Sequence, residues 1–376
     1  MNICPIAEYC GGCQYQGIAY IQQLQKKQET VEKLLSGFGP VEKIIGMTDP
    51  DNYRNKMQLT FACDDDHKPL CGYYIPQSHF VIETPSCMLV DENINRVVIS
   101  IRRILHKYKI SVYDERSRKG CLRHLLLRCN KAGEIMVVFV TGSLKLFKQE
   151  ELVRDIVRYN PEVKTIIHNI NDRRSSTVLG KRSETIYGKG YLIDELCGVK
   201  FRISAASFYQ VNSRQTGILY DTALELAQPD HDQLLLDAYC GIGTIGLCAA
   251  SRVGRVLGVE INKQAITDAG NNMILNGISN CEFICEDAGR YLEQLSTSRT
   301  HVDTVIMDPP RGGSDKRFMS SLLKMKPDQI VYISCNPYTL KNDLRFLSAA
   351  YNIRKIQPVD MFPYTKHVET VVCLSR

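Results

Sequence analysis

Residues 234–246 read L-L-L-D-A-Y-C-G-I-G-T-I-G, and this stretch decides the fold. Leu234–Asp237 is an apolar run of strand length closed by an acid. Ala238-Tyr239-Cys240 lead out of it, and Gly241-Ile242-Gly243-Thr244-Ile245-Gly246 open a helix. The unit then recurs downstream. Val256–Glu260 is a strand and Asn262–Asn276 its helix, and Cys281–Cys285 is a third strand. Thr304–Met307 runs into Asp308-Pro309-Pro310, Ile330–Ser334 follows, and Ile353–Val359 and Val368–Leu374 finish the sheet. Strands alternating with helices predict an α/β, doubly wound, Rossmann-like domain over residues 206–376.

Glycines at this spacing also occur in dinucleotide-binding enzymes, and Glu260 falls near the position of an acid that holds a ribose. Two features point elsewhere. A dinucleotide strand runs almost directly into its first glycine, whereas here three residues intervene after Asp237. Hydride transfer also has no use for Asp308-Pro309-Pro310. A cofactor with an amino-acid tail fits better, because its ammonium wants an acid at a strand end while Glu260 still takes the ribose. That cofactor is S-adenosylmethionine. The second informative stretch is I-V-Y-I-S-C-N-P-Y-T-L over 330–340. Pro337 bars the strand from continuing, so Cys335 falls at a carboxyl end, where open α/β sheets place their chemistry. The plain alternative is a buried structural cysteine, the commoner fate of a free thiol.

At 376 residues the chain has room for two domains. Its 44% hydrophobic and 23% charged residues are ordinary for a soluble protein. No run is long enough to span a bilayer and no secretion signal is visible, so the expected compartment is the cytoplasm. Fifteen cysteines in that setting argue for thiols, metal ligands or catalysis rather than a disulfide framework. The net charge of +6 is unevenly spread: Arg96 to Lys131 holds eleven Lys/Arg against two acids, Asp114 and Glu115, an excess of nine. That window suggests a polyanionic partner, with a solvated surface as the bland alternative. No protein partner is implied.

Residues 1–205 have a different texture. Cys4, Cys10 and Cys13 are spaced C-x5-C-x2-C, a metal-site pattern for zinc or an iron–sulfur cluster, and Cys63, Cys71 and Cys87 are candidates for the missing ligand. Ile18–Leu35 is an amphipathic helix with Ile21, Leu24, Val31, Leu34 and Leu35 on one face and Gly37 as its stop. Short β-like runs then follow at Met57–Ala62, Leu70–Tyr74, His79–Glu83, Leu122–Cys129, Ile135–Thr141 and Thr165–Ile170. Helical patterns at Asp91–Tyr108 and Leu146–Tyr159 interrupt them, predicting a smaller α+β domain with an antiparallel sheet. Arg123, His124 and Arg128 punctuate one strand, a presentation that suits folded RNA.

Taken together, Ser207-Phe-Tyr-Gln-Val-Asn212, Asp237-Ala-Tyr-Cys-Gly-Ile-Gly243, Asp308-Pro-Pro-Arg311, Ser334-Cys-Asn-Pro337, Asp360-Met-Phe-Pro363 and His367-Val-Glu-Thr370 resemble the RNA uracil-C5 methyltransferases, in that family's order. The amino-terminal cysteines resemble the ribosomal RNA branch, the RlmC/RlmD enzymes, in which four cysteines hold a [4Fe–4S] cluster. The resemblance makes Cys87 the fourth ligand beside Cys4, Cys10 and Cys13. The chain starts directly at these cysteines, without the small amino-terminal barrel of many relatives, and in this it resembles the RlmC type. The implied reaction is S-adenosylmethionine-dependent methylation of uracil C5 in 23S ribosomal RNA.

The resemblance also places Gln210, Tyr239, Thr244, Glu260 and Asp308 at cofactor contacts, and has helix 18–36 pack on the catalytic domain. Asp287, ending the third strand, is our addition for the adenine side. Uracil C5 is too weakly nucleophilic to take a methyl group unaided, and a thiolate adding to C6 makes it an enolate. Cys335 is the implied nucleophile and Glu369 the base that removes the C5 proton. Arg311 stands where an enzyme methylating an exocyclic amine carries a stacking aromatic, which disfavours nitrogen methylation. The remaining alternatives are a transfer RNA uracil-C5 methyltransferase and a non-catalytic iron–sulfur RNA-binding protein on a methyltransferase fold.

Overall fold

The structure, a computed structural model, describes residues 3–64, 68–173, 177–298 and 300–376. In chain order, a short helix α1 (Ala7–Cys10) and a long α2 (Tyr20–Leu35) precede strands β1 (Lys56–Cys63), β2 (Pro69–Tyr74) and β3 (Val81–Glu83). Helix α3 (Glu92–Tyr108) leads to β4 (Leu122–Cys129) and β5 (Ile135–Thr141), and α4 (Gln149–Tyr159) to β6 (Val163–Ile170) and β7 (Arg182–Gly188). A two-stranded sheet, β8 (Tyr191–Leu196) with β9 (Val199–Ser204), is followed by α5 (Ser213–Ala227). The strand–helix series is β10 (Leu234–Ala238), α6 (Thr244–Ala249), β11 (Arg255–Glu260), α7 (Lys263–Leu275), β12 (Cys281–Cys285), α8 (Ala288–Thr297), β13 (Thr304–Met307), α9 (Lys316–Met325), β14 (Gln329–Ser334) and α10 (Pro337–Leu347). Strands β15 (Asn352–Val359) and β16 (Glu369–Ser375) end the chain. Among the described residues, no helix is long and apolar enough to cross a membrane.

Two compact units emerge. The first comprises residues 3–17, 50–194 and 203–206, and the second 18–49, 195–202 and 207–376. The second therefore takes in α2 and also residues 195–202, which a single cut near 205 assigns to the first.

The first unit carries a seven-stranded sheet in the order β3-β2-β1-β4-β5-β6-β7. It is not purely antiparallel: β5 and β6 run parallel, with α4 as the crossover between them. Strand β7 escapes hydrophobic-pattern reading because it is an edge strand of mostly exposed polar residues. The basic window divides. Arg123 and Arg128 sit on β4, near the middle of the sheet, and are buried. Arg123 pairs with Glu115 at 2.6 Å and donates to the carbonyl of Asn171, so these arginines and the half-buried His124 face protein rather than solvent. Its exposed cations are Arg96, Arg103, Lys107 and Lys109 on or just after α3, Arg116, Arg118 and Lys119 in the following loop, and Lys131.

The second unit's sheet is ordered β12-β11-β10-β13-β14-β16-β15. The first five strands are parallel, and β16 is antiparallel to both neighbours. Strand β10 has β11 on one side and β13 on the other, the switch point at which doubly wound sheets open a crevice. Pro337 stops β14 by starting α10: it occupies the first helical turn while Asn336 caps, its side chain accepting from Tyr338 N–H at 3.1 Å.

Helix α2 packs on this sheet by most of the apolar face read in its sequence, with Val31 and Leu35 buried and Leu24 and Leu34 against the same core, but two polar residues join that face and Ile21 does not. Ile21 is 72% exposed, and the buried residues are Gln23, Lys27, Val31 and Leu35. Val31 and Leu35 join Tyr332, Leu340, Leu344 and Val372 in the core, each contributing about 1.5–3 kcal/mol by its burial. The polar half of the stripe has hydrogen-bond work of its own, described below.

Candidate active site

The crevice at the carboxyl ends of β10, β11, β13 and β14 gathers most of the expected residues. Asp237 is fully buried on β10, and its Oδ2 accepts the N–H of Gly246 at 2.7 Å. Its Oδ1 has no hydrogen-bond partner. Burial raises the Asp237 carboxyl to about 7; the Gly246 N–H opposes the rise, and the charges of Asp308 and Glu260 add to it. Tyr239, the next residue but one, is held at φ +66°, a left-handed backbone that a bulky side chain rarely adopts and that clusters at functional sites. Its ring lies 5.2 Å from that of Phe318, centroid to centroid. Gly241 also has positive φ, and a Cβ built there would meet nothing within 4 Å, so the loop's backbone faces open space.

Glu260 ends β11, where Oε2 accepts from Gly241 N–H at 3.3 Å and Oε1 from Asn262 N–H at 2.8 Å. Thr244 opens α6 with its hydroxyl 3.1 Å from that of Tyr220. Asp287 is not the end of the third strand. Strand β12 stops at Cys285, and Asp287 caps α8, accepting from Arg290 N–H at 3.0 Å. It lines an open cleft of about 660 Å³ with Ile261, Cys285 and Asp315. Ile261 was not foreseen: it follows Glu260, is 70% exposed, and offers an apolar surface beside that acid. An exposed aliphatic directly after a strand-ending acid was the available signal.

Asp308, at the end of β13, joins this half of the crevice to the other. Burial pushes it up to about 7. It acts electrostatically on Asp237, on Glu369 and on Cys335. Cys335 lies half-buried between β14 and α10. Burial chiefly, and then Glu369 and Asp308, push its thiol up to about 11, while Arg311 and a backbone N–H pull it down. Glu369 is the first residue of β16, opposite Val359, and only 3% exposed. Its Oε2 has no hydrogen-bond partner, and burial and Asp308 hold its carboxyl well above the usual range, Arg311 opposing. Arg311 is thus the cation set against two groups that resist charge, Cys335 and Glu369. Gln210 is half-buried in the segment whose Asn212 caps α5 and donates to the carbonyl of Met361 at 2.9 Å. Two exposed aromatics flank these motifs, Phe208 beside Tyr209 and Gln210, and Tyr338 three residues after Cys335.

The model of the tRNA (uracil-5-)-methyltransferase family matches residues 185–376, a span that holds every residue just described. The chain belongs to the RNA uracil-5-methyltransferase family. Its relatives include an RNA methyltransferase of Bacillus cereus, 40% identical over 380 residues covering 99% of this chain and 82% of that one. An RNA methyltransferase of Staphylococcus aureus is 40% identical over 378 residues, again with 99% of this chain covered. Among solved structures, this methyltransferase is similar to the Pyrococcus abyssi tRNA (uracil-54, C5)-methyltransferase in complex with S-adenosyl-L-homocysteine. The TM-score is 0.82 with 29% identity, over 96% of this chain and 85% of that one. Family and fold make it S-adenosylmethionine-dependent. The crevice fits such a cofactor: Asp237 and Asp308 resist ionisation for want of a counter-charge, and a ligand bearing an ammonium and a sulfonium supplies one.

The first unit holds a separate cluster. Cys4, Cys10, Cys13 and Cys87 line one small cavity, of which Cys63 and Cys71 are not part. Gly11, at φ +64°, turns the chain there, and a Cβ would lie 2.4 Å from Pro76. Asn95 of α3 fixes Cys87 by bonding both its N–H and its carbonyl. The thiols feel one another: burial and then Cys87, Cys10 and Cys4 push Cys13 up to about 12, with Arg54 opposing. Four sulfurs around a tetrahedral zinc, at about 2.3 Å from the metal, lie roughly 3.8 Å apart. Among the described residues, the group of three or more ligating side chains gathered within 4.8 Å is the partly exposed His301–Asp303–Asp328, so the four sulfurs are spread more widely than zinc requires.

Proposed function

We propose that this methyltransferase acts on uracil C5 in 23S ribosomal RNA in the cytoplasm, with Cys335 as nucleophile and Glu369 as base. The observation that carries the chemistry is the grouping of Asp308, Arg311 and Cys335, just beyond the carboxyl ends of β13 and β14, with Glu369 at the amino end of the antiparallel β16. Glu260, Asp237, Asp308, Tyr239, Thr244, Gln210 and Asp287 hold S-adenosylmethionine, which when bound supplies an electrophilic methyl group. Cys335 Sγ adds to C6, placing electron density on O4 and C5, and Arg311 faces the charge that develops. Once C5 carries the methyl group, Glu369 takes the C5 proton, the C5–C6 double bond re-forms and Sγ departs as thiolate. A carboxylate poorly stabilised by its surroundings is a stronger base, which suits removal of a proton from carbon.

Assignment to ribosomal RNA rests on the four-cysteine site, for which we propose a [4Fe–4S] cluster. That no three of these half-buried sulfurs gather within 4.8 Å, although all four line one cavity, favours a cluster over a single ion. Nothing in the methyl transfer calls for redox chemistry, so the cluster's role is structural. Protein purified without oxygen is expected to be brown and to contain iron and acid-labile sulfide in equal amounts; zinc without sulfide would overturn the cluster. The second reading, methylation of transfer RNA, is favoured by the family description and by what the Pyrococcus enzyme acts on. Incubation with methyl-labelled cofactor and, separately, 23S ribosomal RNA and transfer RNA distinguishes them. Label as 5-methyluridine in the 23S RNA is the expected result, and label in transfer RNA alone would replace the substrate assignment.

Cofactor affinity tests the other half of the crevice. In Glu260→Ala, the carboxylate that would accept both ribose hydroxyls is lost, at a cost of about 1.5–3 kcal/mol per charge-assisted bond. Calorimetry on the folded variant should show S-adenosylmethionine binding weakened at least tenfold. Unchanged affinity would remove Glu260 from the cofactor site.

A further inference from the structure

Three polar side chains of α2 reach a single segment, residues 360–368, that joins β15 to β16. Lys27 is fully buried; its ammonium donates to Asp360 Oδ1 at 2.6 Å and to the carbonyl of Phe362 at 2.9 Å. The Tyr20 hydroxyl donates to Asp360 Oδ2 at 3.0 Å, and Gln23 Oε1 accepts the N–H of Tyr364 at 2.7 Å. Asp360 Oδ1 also accepts the N–H of Phe362, and Asn212 Nδ2 donates to the carbonyl of Met361. The segment leaves β15 after Val359 and returns at Glu369, and these two residues pair across the strands. Its shape therefore sets the approach of Glu369 to the crevice. That shape is strained: Tyr364 sits at φ +65°, where a bulky residue persists only if its surroundings over-determine it.

A buried ion pair is a poor source of stability, since apolar residues of the same volume do as well. What it can supply is one geometry out of several. We infer that Lys27 is a positioning residue for the reaction, fixing through Asp360 and Phe362 the segment that aims Glu369 at the C5 proton. The inference rests on the role proposed for Glu369 and extends it to a helix more than 300 residues away in sequence. It gives a chemical reason for Gln23 and Lys27 to occupy buried positions where apolar residues would serve a helix that only packs.

The test uses the full chain, 23S ribosomal RNA and methyl-labelled cofactor, with Lys27→Met and Glu369→Gln run in parallel. Lys27→Met is expected to bind S-adenosylmethionine as the parent does and to turn over up to about 100-fold more slowly, the scale of a small misplacement of a catalytic group. It should also accumulate a methyl-labelled protein–RNA band on a denaturing gel, because proton removal and not adduct formation is impaired. Lys27→Arg should recover part of the rate. Should Lys27→Met fail to fold, Gln23→Met, which frees Tyr364 and the Ile18 carbonyl but leaves the Lys27–Asp360 pair in place, should show the same band with a smaller loss of rate. Parental kinetics, or slowing without the band while Glu369→Gln shows it, would overturn the positioning role and leave Glu369 as base. Absence of the band from Glu369→Gln as well would overturn both.

Discussion

Cys335→Ala is expected to bind both RNA and S-adenosylmethionine and to transfer no methyl group, a loss on the order of 10⁴-fold or more, as when a covalent nucleophile is removed. The reason lies in the ring and not in the cofactor. Without a bond at C6, uracil C5 has too little electron density to attack, and no other side chain in the crevice can provide it. The resting thiol is held neutral, pushed up to about 11 by burial and by Glu369 and Asp308, so at pH 7 roughly one molecule in 10⁴ carries a thiolate. Adduct formation should therefore quicken as pH rises toward that value. Arg311, which pulls the thiol down, is the chain's own counter-charge. Single-turnover methylation of 23S RNA by the folded variant is the check, and a normal rate would dismiss Cys335.

Glu369→Gln fails differently. The amide keeps the size and burial of the side chain but cannot take a proton, so Cys335 still adds, C5 still acquires its methyl group, and elimination stalls. A methylated protein–RNA adduct should accumulate to a large fraction of the enzyme and survive denaturation. The buried, unpartnered Oε2 makes the substitution informative, because that atom has no hydrogen bond to lose. Rapid turnover by the variant would clear Glu369 of the base role.

The site was legible where one residue type at one strand end suffices for the chemistry. Asp237, Glu260, Asp308 and Cys335 each close an apolar run, and strand ends in a parallel sheet converge on one edge whatever the loops do. Legibility failed where burial depends on a distant partner. The sequence carries no sign that Lys27 and Gln23 of α2 are buried, because nothing local shows that a turn near residue 364 supplies their acceptors and donor. Arg123 and Arg128 looked like a face for RNA, because a strand's position within its sheet is not written in its own residues, and β4 lies between β1 and β5. Asp287 was displaced for a smaller reason: the strand stops two residues sooner, and an aspartate there caps the next helix. The parallel β5–β6 pair was hidden likewise, since α4 could connect strands in either sense.

The central claim is a bond between one particular sulfur and one particular carbon, and mass spectrometry can read it directly. The adduct trapped by Glu369→Gln on 23S RNA, digested with nuclease and protease, should yield a peptide containing Cys335 that carries a uridine nucleotide heavier by one methyl group. The same nucleotide on another of the fifteen cysteines, or an unmethylated uridine on Cys335, would contradict the account.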